Sequence, residues 1–157
     1  MLTPESLMRL AIDKAREGIE AGQTPFGCAI ARGDELIAVS HNTVLSTTDI
    51  TAHAEINALR IGCQATRQIH LPDCVVATTC EPCPMCMAAL HWARVETVYF
   101  GATIADADSA GFNELQVPAA DVLKIGGSQV ALVNGVLPAE CRELFQRWLL
   151  RPDRAVY

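Results

Sequence analysis

The span His53-Ala54-Glu55, followed thirty positions later by Pro82-Cys83-Pro84-Met85-Cys86, constrains this chain more than any other feature. Together the two segments offer one nitrogen and two thiolate donors beside a carboxylate that is not a ligand. Catalytic zinc takes three protein ligands and leaves a fourth tetrahedral position to solvent, whereas structural zinc is closed by four. The pattern therefore points to one Zn2+ per chain held by His53, Cys83 and Cys86, with Glu55 as the proton carrier. Cys83 and Cys86 are three apart at the start of an expected helix, so both sulfurs face one side, where unpaired backbone N–H groups and the helix dipole favour thiolates. Because zinc makes water acidic near neutral pH, no strong base is needed, and Glu55 can act in turn as base and acid.

Cys80 keeps other readings open. Cys80, Cys83 and Cys86 could belong to a closed structural zinc or to an iron–sulfur cluster, and Glu55 could be a solvated acid stabilised by a helix dipole. A closed site would leave Glu55 without work, and free cysteine is often a small buried residue, so Cys80 is read as packing at a strand end. Cys28, Cys63, Cys74 and Cys141 are read likewise. His41, His70 and His91 lack paired ligand spacing and are taken as core or surface residues.

With 157 residues, half of them hydrophobic, the chain supports one core, and a single domain over 1–157 is expected. It has no run of eighteen apolar residues, and its first residues mix both charge signs in a helical pattern, so a cytoplasmic location away from membranes is expected. Seven cysteines, three of them crowded at 80–86, suit metal binding in a reducing compartment better than a disulfide framework. A formal net charge of −6 argues against a nucleic-acid partner and for a small uncharged substrate.

Thr3-Pro4 opens a helix whose apolar positions Leu7, Leu10, Ala11, Ala15 and Ile19 follow helical spacing until Gly22. Apolar runs at 26–32 and 35–41 flank Gly33-Asp34 and predict an antiparallel hairpin. A polar loop at 43–51 precedes a helix over 52–63, with His53 and Glu55 in its first turn and Gly62 near its end. A strand at 74–79, a helix from Pro84 to Arg94 and a strand at 97–101 form a β-α-β unit, which pairs its strands in parallel through a right-handed crossover. A polar loop at 102–117 follows, then a helix at 119–125, a strand at 129–134 and a last amphipathic helix at 138–150. The class is α/β, with a mixed sheet and helices on both faces.

His53-Ala54-Glu55 and Cys80-Glu81-Pro82-Cys83-Pro84-Met85-Cys86 resemble the motifs of the cytidine and deoxycytidylate type of zinc deaminase, whose signature is H-x-E with P-C-x-x-C. The resemblance covers nearly the whole chain. Within that family, Pro25-Phe26-Gly27, Asn42, the 51–55 segment, Trp92-Ala93-Arg94, the 106–114 segment and terminal Tyr157 look like those of bacterial guanine deaminases. The resemblance implies a three-layer α/β/α sandwich around a mixed, mostly parallel five-stranded sheet, a homodimer with composite pockets, and Asn42, Glu114 and Tyr157 near the base. Guanine offers N1–H, ring N–H and amino donors, so a carboxylate such as Glu114 can accept from it, while Asn42 can donate and accept. Phe26 and Trp92 can pack on its flat face, and Ala54 completes the expected substrate contacts. Without the resemblance, Glu114 reads as an exposed loop acid, Trp92 as core and Tyr157 as an untethered terminus.

Departures from that pattern keep the substrate open. The 53–60 segment, His53 to Arg60, is at least as similar to the tRNA adenosine deaminases, and Asn113-Glu114 differs from an acidic pair common in the guanine enzymes. Against a tRNA substrate, Arg142, Arg147, Arg151 and Arg154 are largely offset by Glu140, Glu143 and Asp153. Cytosine, a nucleoside or a triazine base remain chemically similar alternatives, and a non-enzymatic zinc module is the alternative outside catalysis. The expectation carried forward is zinc-dependent hydrolysis of guanine to xanthine and ammonia.

Overall fold

Thr3 sets the start of the first helix, its side-chain oxygen accepting from Ser6 N at 3.1 Å with Pro4 at the first helical position. In the computed structural model, which describes residues 2–157, this helix is α1 (Pro4–Glu20). It buries Leu7, Met8, Ala11, Ile12, Ala15 and Ile19 along one stripe. Gly22, at φ 82, carries the chain out of the helix in a conformation that a side chain would oppose.

The strands β1 (Gly27–Arg32) and β2 (Glu35–His41) pair antiparallel across a two-residue turn with Gly33 at φ 60. Next come α2 (Val44–Thr47), α3 (Ala54–Thr66), β3 (Val75–Cys80), α4 (Pro84–Trp92) and β4 (Thr97–Ala102). The chain ends with α5 (Ile104–Ser109), α6 (Ala119–Gly126), β5 (Ala131–Asn134) and α7 (Pro138–Leu149). The sheet order is β2-β1-β3-β4-β5, with β1 antiparallel to both neighbours and β3, β4 and β5 parallel. Four strands thus point one way and β1 alone opposes them.

Alternate residues along the central strands face different layers, as the period of two demands. Ala29, Ala31 and Ala77 join α1, α7, Phe112 and Trp148 on one face, while Cys28, Ile30, Val76 and Val98 join residues of α3, α4 and α6 on the other. This is the expected three-layer sandwich. Small residues on the α1 face let that helix lie close: a Cβ at Gly27 would collide with the Ala11 carbonyl oxygen. The β3-α4-β4 unit delivers the metal-binding loop at the C-terminal end of β3.

Four helices depart from the sequence expectations. Helix α3 starts two residues later than expected, at Ala54, and runs past Gly62 until Arg67 takes a left-handed conformation at φ 54. Helix α4 stops at Trp92, before Arg94, which is itself left-handed at φ 57. Two short helices, α2 and α5, occupy stretches read as loops, the second closed by a capping box between Thr103 and Asp106.

Candidate metal centre and adjoining pocket

His53 is the N-cap of α3 and Cys83 the N-cap of α4, so two helix N-termini meet behind the end of β3. Neither side chain caps its own helix. Instead His53 Nδ1 lies 3.7 Å from Cys83 Sγ and 3.5 Å from Cys86 Sγ, and the three donor atoms all lie within 4.8 Å of one another. Ligands at zinc's usual bond lengths and a tetrahedral angle would be separated by about 3.6 Å for a nitrogen and a sulfur. The donor set therefore fits zinc in type and in spacing. Cys80 is not part of the cluster; its Sγ faces the Thr103 carbonyl oxygen at 3.4 Å.

Charge at the cluster is already disposed toward a cation. A hydrogen bond from Cys86 lowers the Cys83 thiol to about 4 against opposing burial, with His53 helping, while Cys86, which shares that proton and is buried, is pushed well up. One thiolate therefore forms readily. Glu55, in the first turn of α3, is only 6% exposed, and burial followed by the Cys83 charge raises its carboxyl above the usual range. Thr78 on β3 donates its hydroxyl to Glu55 Oε1 at 2.8 Å. A buried carboxyl with one oxygen held in this way is suited to accepting and returning a proton.

The cluster opens into a cavity of about 300 Å³, lined among others by Phe26, Asn42, Phe112, Glu114 and Tyr157. Fully buried Asn42 accepts from Val44 N through its Oδ1 at 3.0 Å, which leaves its Nδ2 to donate to the Tyr157 hydroxyl at 2.6 Å. Burial, with the Cys83 charge second, raises the Glu114 carboxyl to about 7. Phe26 and Phe112 meet edge to face at a centroid distance of 5.0 Å, and Phe112 also packs on Trp148 at 4.9 Å and on Tyr157 at 5.8 Å. Tyr157 lies 5.7 Å from the His53 ring, so the C-terminal residue is docked at the site.

Of the residues singled out in the sequence, His53, Glu55, Cys83, Phe26, Asn42, Glu114 and Tyr157 line the cavity, and Cys86 completes the cluster from beneath. Trp92 does not line the cavity of its own chain: as the last residue of α4 it stands eight positions beyond Pro84, roughly 12 Å along the helix, and is 76% exposed. Ala54 lies buried in the core between His53 and Glu55 rather than on the lining. The sequence reading did not single out Thr78, Glu81, Ile50, Met85, Phe112 or Leu115 as site residues. Alternation along β3 places Thr78 on the α3 side of the sheet, a signal that could have found the partner of Glu55.

Residues 1–102 match the family model of the cytidine and deoxycytidylate deaminase zinc-binding region. The chain is 41% identical over 111 residues to guanine deaminase of Bacillus subtilis (strain 168), an alignment covering 70% of this chain and 71% of that enzyme. It is 40% identical over 95 residues to tRNA-specific adenosine deaminase of Agrobacterium fabrum, covering 60% of this chain and 62% of the relative, less than two thirds of its length. Its fold superposes on guanine deaminase from Nitrosomonas europaea with a TM-score of 0.87 at 27% identity, over 96% of this chain and 87% of that one.

Proposed function

This chain belongs to the cytidine and deoxycytidylate deaminase zinc-binding family, and on that premise we propose that it hydrolyses guanine to xanthine and ammonia. The observation that carries the choice of base is the placement of Glu114 and Asn42 on the same cavity as Glu55. Ionised Glu114 accepts hydrogen bonds only, and guanine presents an N1–H donor beside its amino group, where adenine presents an acceptor. The similarity to the Bacillus subtilis guanine deaminase points the same way.

In the reaction a water oxygen bonds to C2 of the base, the C2–N bond breaks and the amine leaves as ammonia. His53, Cys83 and Cys86 would hold the zinc, which when bound would supply the Lewis acidity that makes water acidic near neutral pH. Glu55 takes the proton that water loses, passes one to a ring nitrogen beside C2 and returns one to the leaving amine. Burial raises its carboxyl above the usual range, and the Thr78 hydroxyl fixes one of its oxygens. Glu114 orients the base through N1–H, the Asn42 amide donates to an acceptor on its edge, and Phe26 with Phe112 contacts its apolar face. Tyr157 covers the site. The same reading makes the enzyme a cytoplasmic homodimer of purine metabolism, acting on a small molecule.

A second reading, adenosine deamination in tRNA, is favoured by the nearly equal similarity to the Agrobacterium fabrum enzyme. Against it, Arg9 pairs with Glu140, and Arg147 and Arg151 pair with Glu20, so these surface cations are already neutralised. Ammonia release by zinc-loaded protein against guanine, guanosine, cytosine, cytidine, adenosine and an anticodon stem-loop separates the readings. Turnover of guanine is expected; turnover of the stem-loop alone, with salt-sensitive binding, would replace the guanine reading.

A further inference from the structure

Glu81 sits between β3 and the metal-binding loop, and its two carboxylate oxygens serve two different helices. Oε2 accepts from Ile104 N and Oε1 from Ala119 N, each at 3.0 Å. Ile104 and Ala119 are the first residues of α5 and α6, so one side chain satisfies an orphan N–H at each helix start and puts negative charge at two positive helix ends. No nearby cap does this work: the Thr103 oxygen serves Asp106 N, and Pro118 has no side-chain hydrogen bond to give. The Glu81 backbone is itself tied to the sheet, its N–H donating to the Ala102 carbonyl at 2.8 Å.

Between those two anchored amides runs the segment that supplies Phe112, Asn113, Glu114 and Leu115 to the cavity wall. Two residues after Glu81 comes Cys83. A single side chain thus fastens both ends of the wall segment to the loop that carries the metal ligands.

We propose that Glu81 is a positioning residue that sets affinity for the base: by holding both ends of the 104–119 segment it fixes the distance of Glu114 and Phe112 from Glu55 and the metal centre. The proposal rests on the reading of Glu114 as a substrate-orienting acid. Gln at this position keeps one acceptor oxygen but turns an N–H donor toward the other backbone N–H, so one anchor is lost while shape is retained.

The test is Glu81→Gln in the zinc-loaded full chain, read by metal content, steady-state kinetics and amide hydrogen exchange. Zinc stays at one per chain, KM for guanine rises roughly tenfold while kcat stays within about threefold, and exchange accelerates at Ile104 or Ala119 but not along α4. Unchanged KM, or a fall in kcat that tracks lost zinc at constant KM, overturns the proposal, since a merely structural acid would reduce only the active fraction. If Glu81→Gln does not fold, Glu81→Asp is read by the same criteria, because it keeps the charge but is one methylene too short to reach both helices. Failure of the guanine reading is seen separately, as absence of turnover in the unmodified enzyme. KM is then measured on the base that the unmodified enzyme does deaminate, and the exchange result stands regardless of substrate.

Discussion

At the floor of the pocket, His53 and Cys83 are the N-caps of α3 and α4 and Glu55 is held by Thr78 on β3, whereas the wall is drawn from Phe26, Asn42, Phe112, Glu114 and Tyr157, which no single element carries. Floor residues take their positions from regular structure packed on the central sheet, and each has its partner close by. Wall residues sit in connections and at the terminus, and are positioned by a few individual contacts: the Asn42–Tyr157 hydrogen bond, the Phe26–Phe112–Trp148 cluster and the Glu81 anchors. The difference teaches that reaction chemistry is built into the scaffold here, while choice of base depends on contacts that can change one at a time. Substitutions should therefore separate cleanly, floor changes striking metal or kcat and wall changes striking KM.

The largest effect is expected from Cys86→Ala. Losses of groups that merely orient metal ligands already cost ~10–100-fold, so removal of a ligand should reduce turnover by more than ~10²-fold, and metal analysis should show zinc far below one per chain. Retention of stoichiometric zinc and activity would break the assignment of the floor.

Glu114→Gln tests the wall. Its carboxyl is raised to about 7, so the ionised, accepting form dominates above that pH and is lost as pH falls through it. KM for guanine should accordingly rise on acidification below about 7 in the unmodified enzyme, and in the variant KM should be higher and its pH dependence flatter. An identical pH profile in both proteins would remove Glu114 from recognition.

Tyr157→Phe deletes the hydroxyl that accepts from Asn42 at 2.6 Å. The loss of one hydrogen bond is worth about 1 kcal/mol, or roughly fivefold in KM, with kcat little changed. A large fall in kcat instead would move the terminal residue from wall to floor.

Trp92→Ala should do least. At 76% exposure its removal is expected to change kcat/KM by no more than about twofold. A tenfold loss, accompanied by a change in oligomeric state on a sizing column, would show that the tryptophan completes the pocket of a second copy.

The same contrast explains what could be read before the fold was known. The residues that meet at the cluster were legible because His53 and Glu55 are two apart and Cys83 and Cys86 three apart, and Pro84 announces the start of α4. The hairpin and the β-α-β unit were legible from turn residues and apolar runs for the same local reason. Helix α5 was hidden because it spans only six residues, half of them Asp or Ser, and its capping box uses Asp106 rather than a glutamate. Phe112 was not singled out because its place depends on aromatic neighbours as distant as Phe26 and Trp148. Glu81 was quoted as part of a motif, yet its work is defined by amides 23 and 38 residues away, which no local pattern reveals. Trp92 was named from the resemblance, and its position along α4 carries it away from the ligands of its own chain.

The most direct test of the account is xanthine formation from guanine, followed by absorbance, with zinc-loaded enzyme and Glu55→Gln side by side and metal content measured in both. The account predicts xanthine and equimolar ammonia from the unmodified enzyme, and equal zinc but turnover reduced ~10²-fold or more in the variant. Guanine left untouched by zinc-replete enzyme, or a variant as active as its parent, would contradict it.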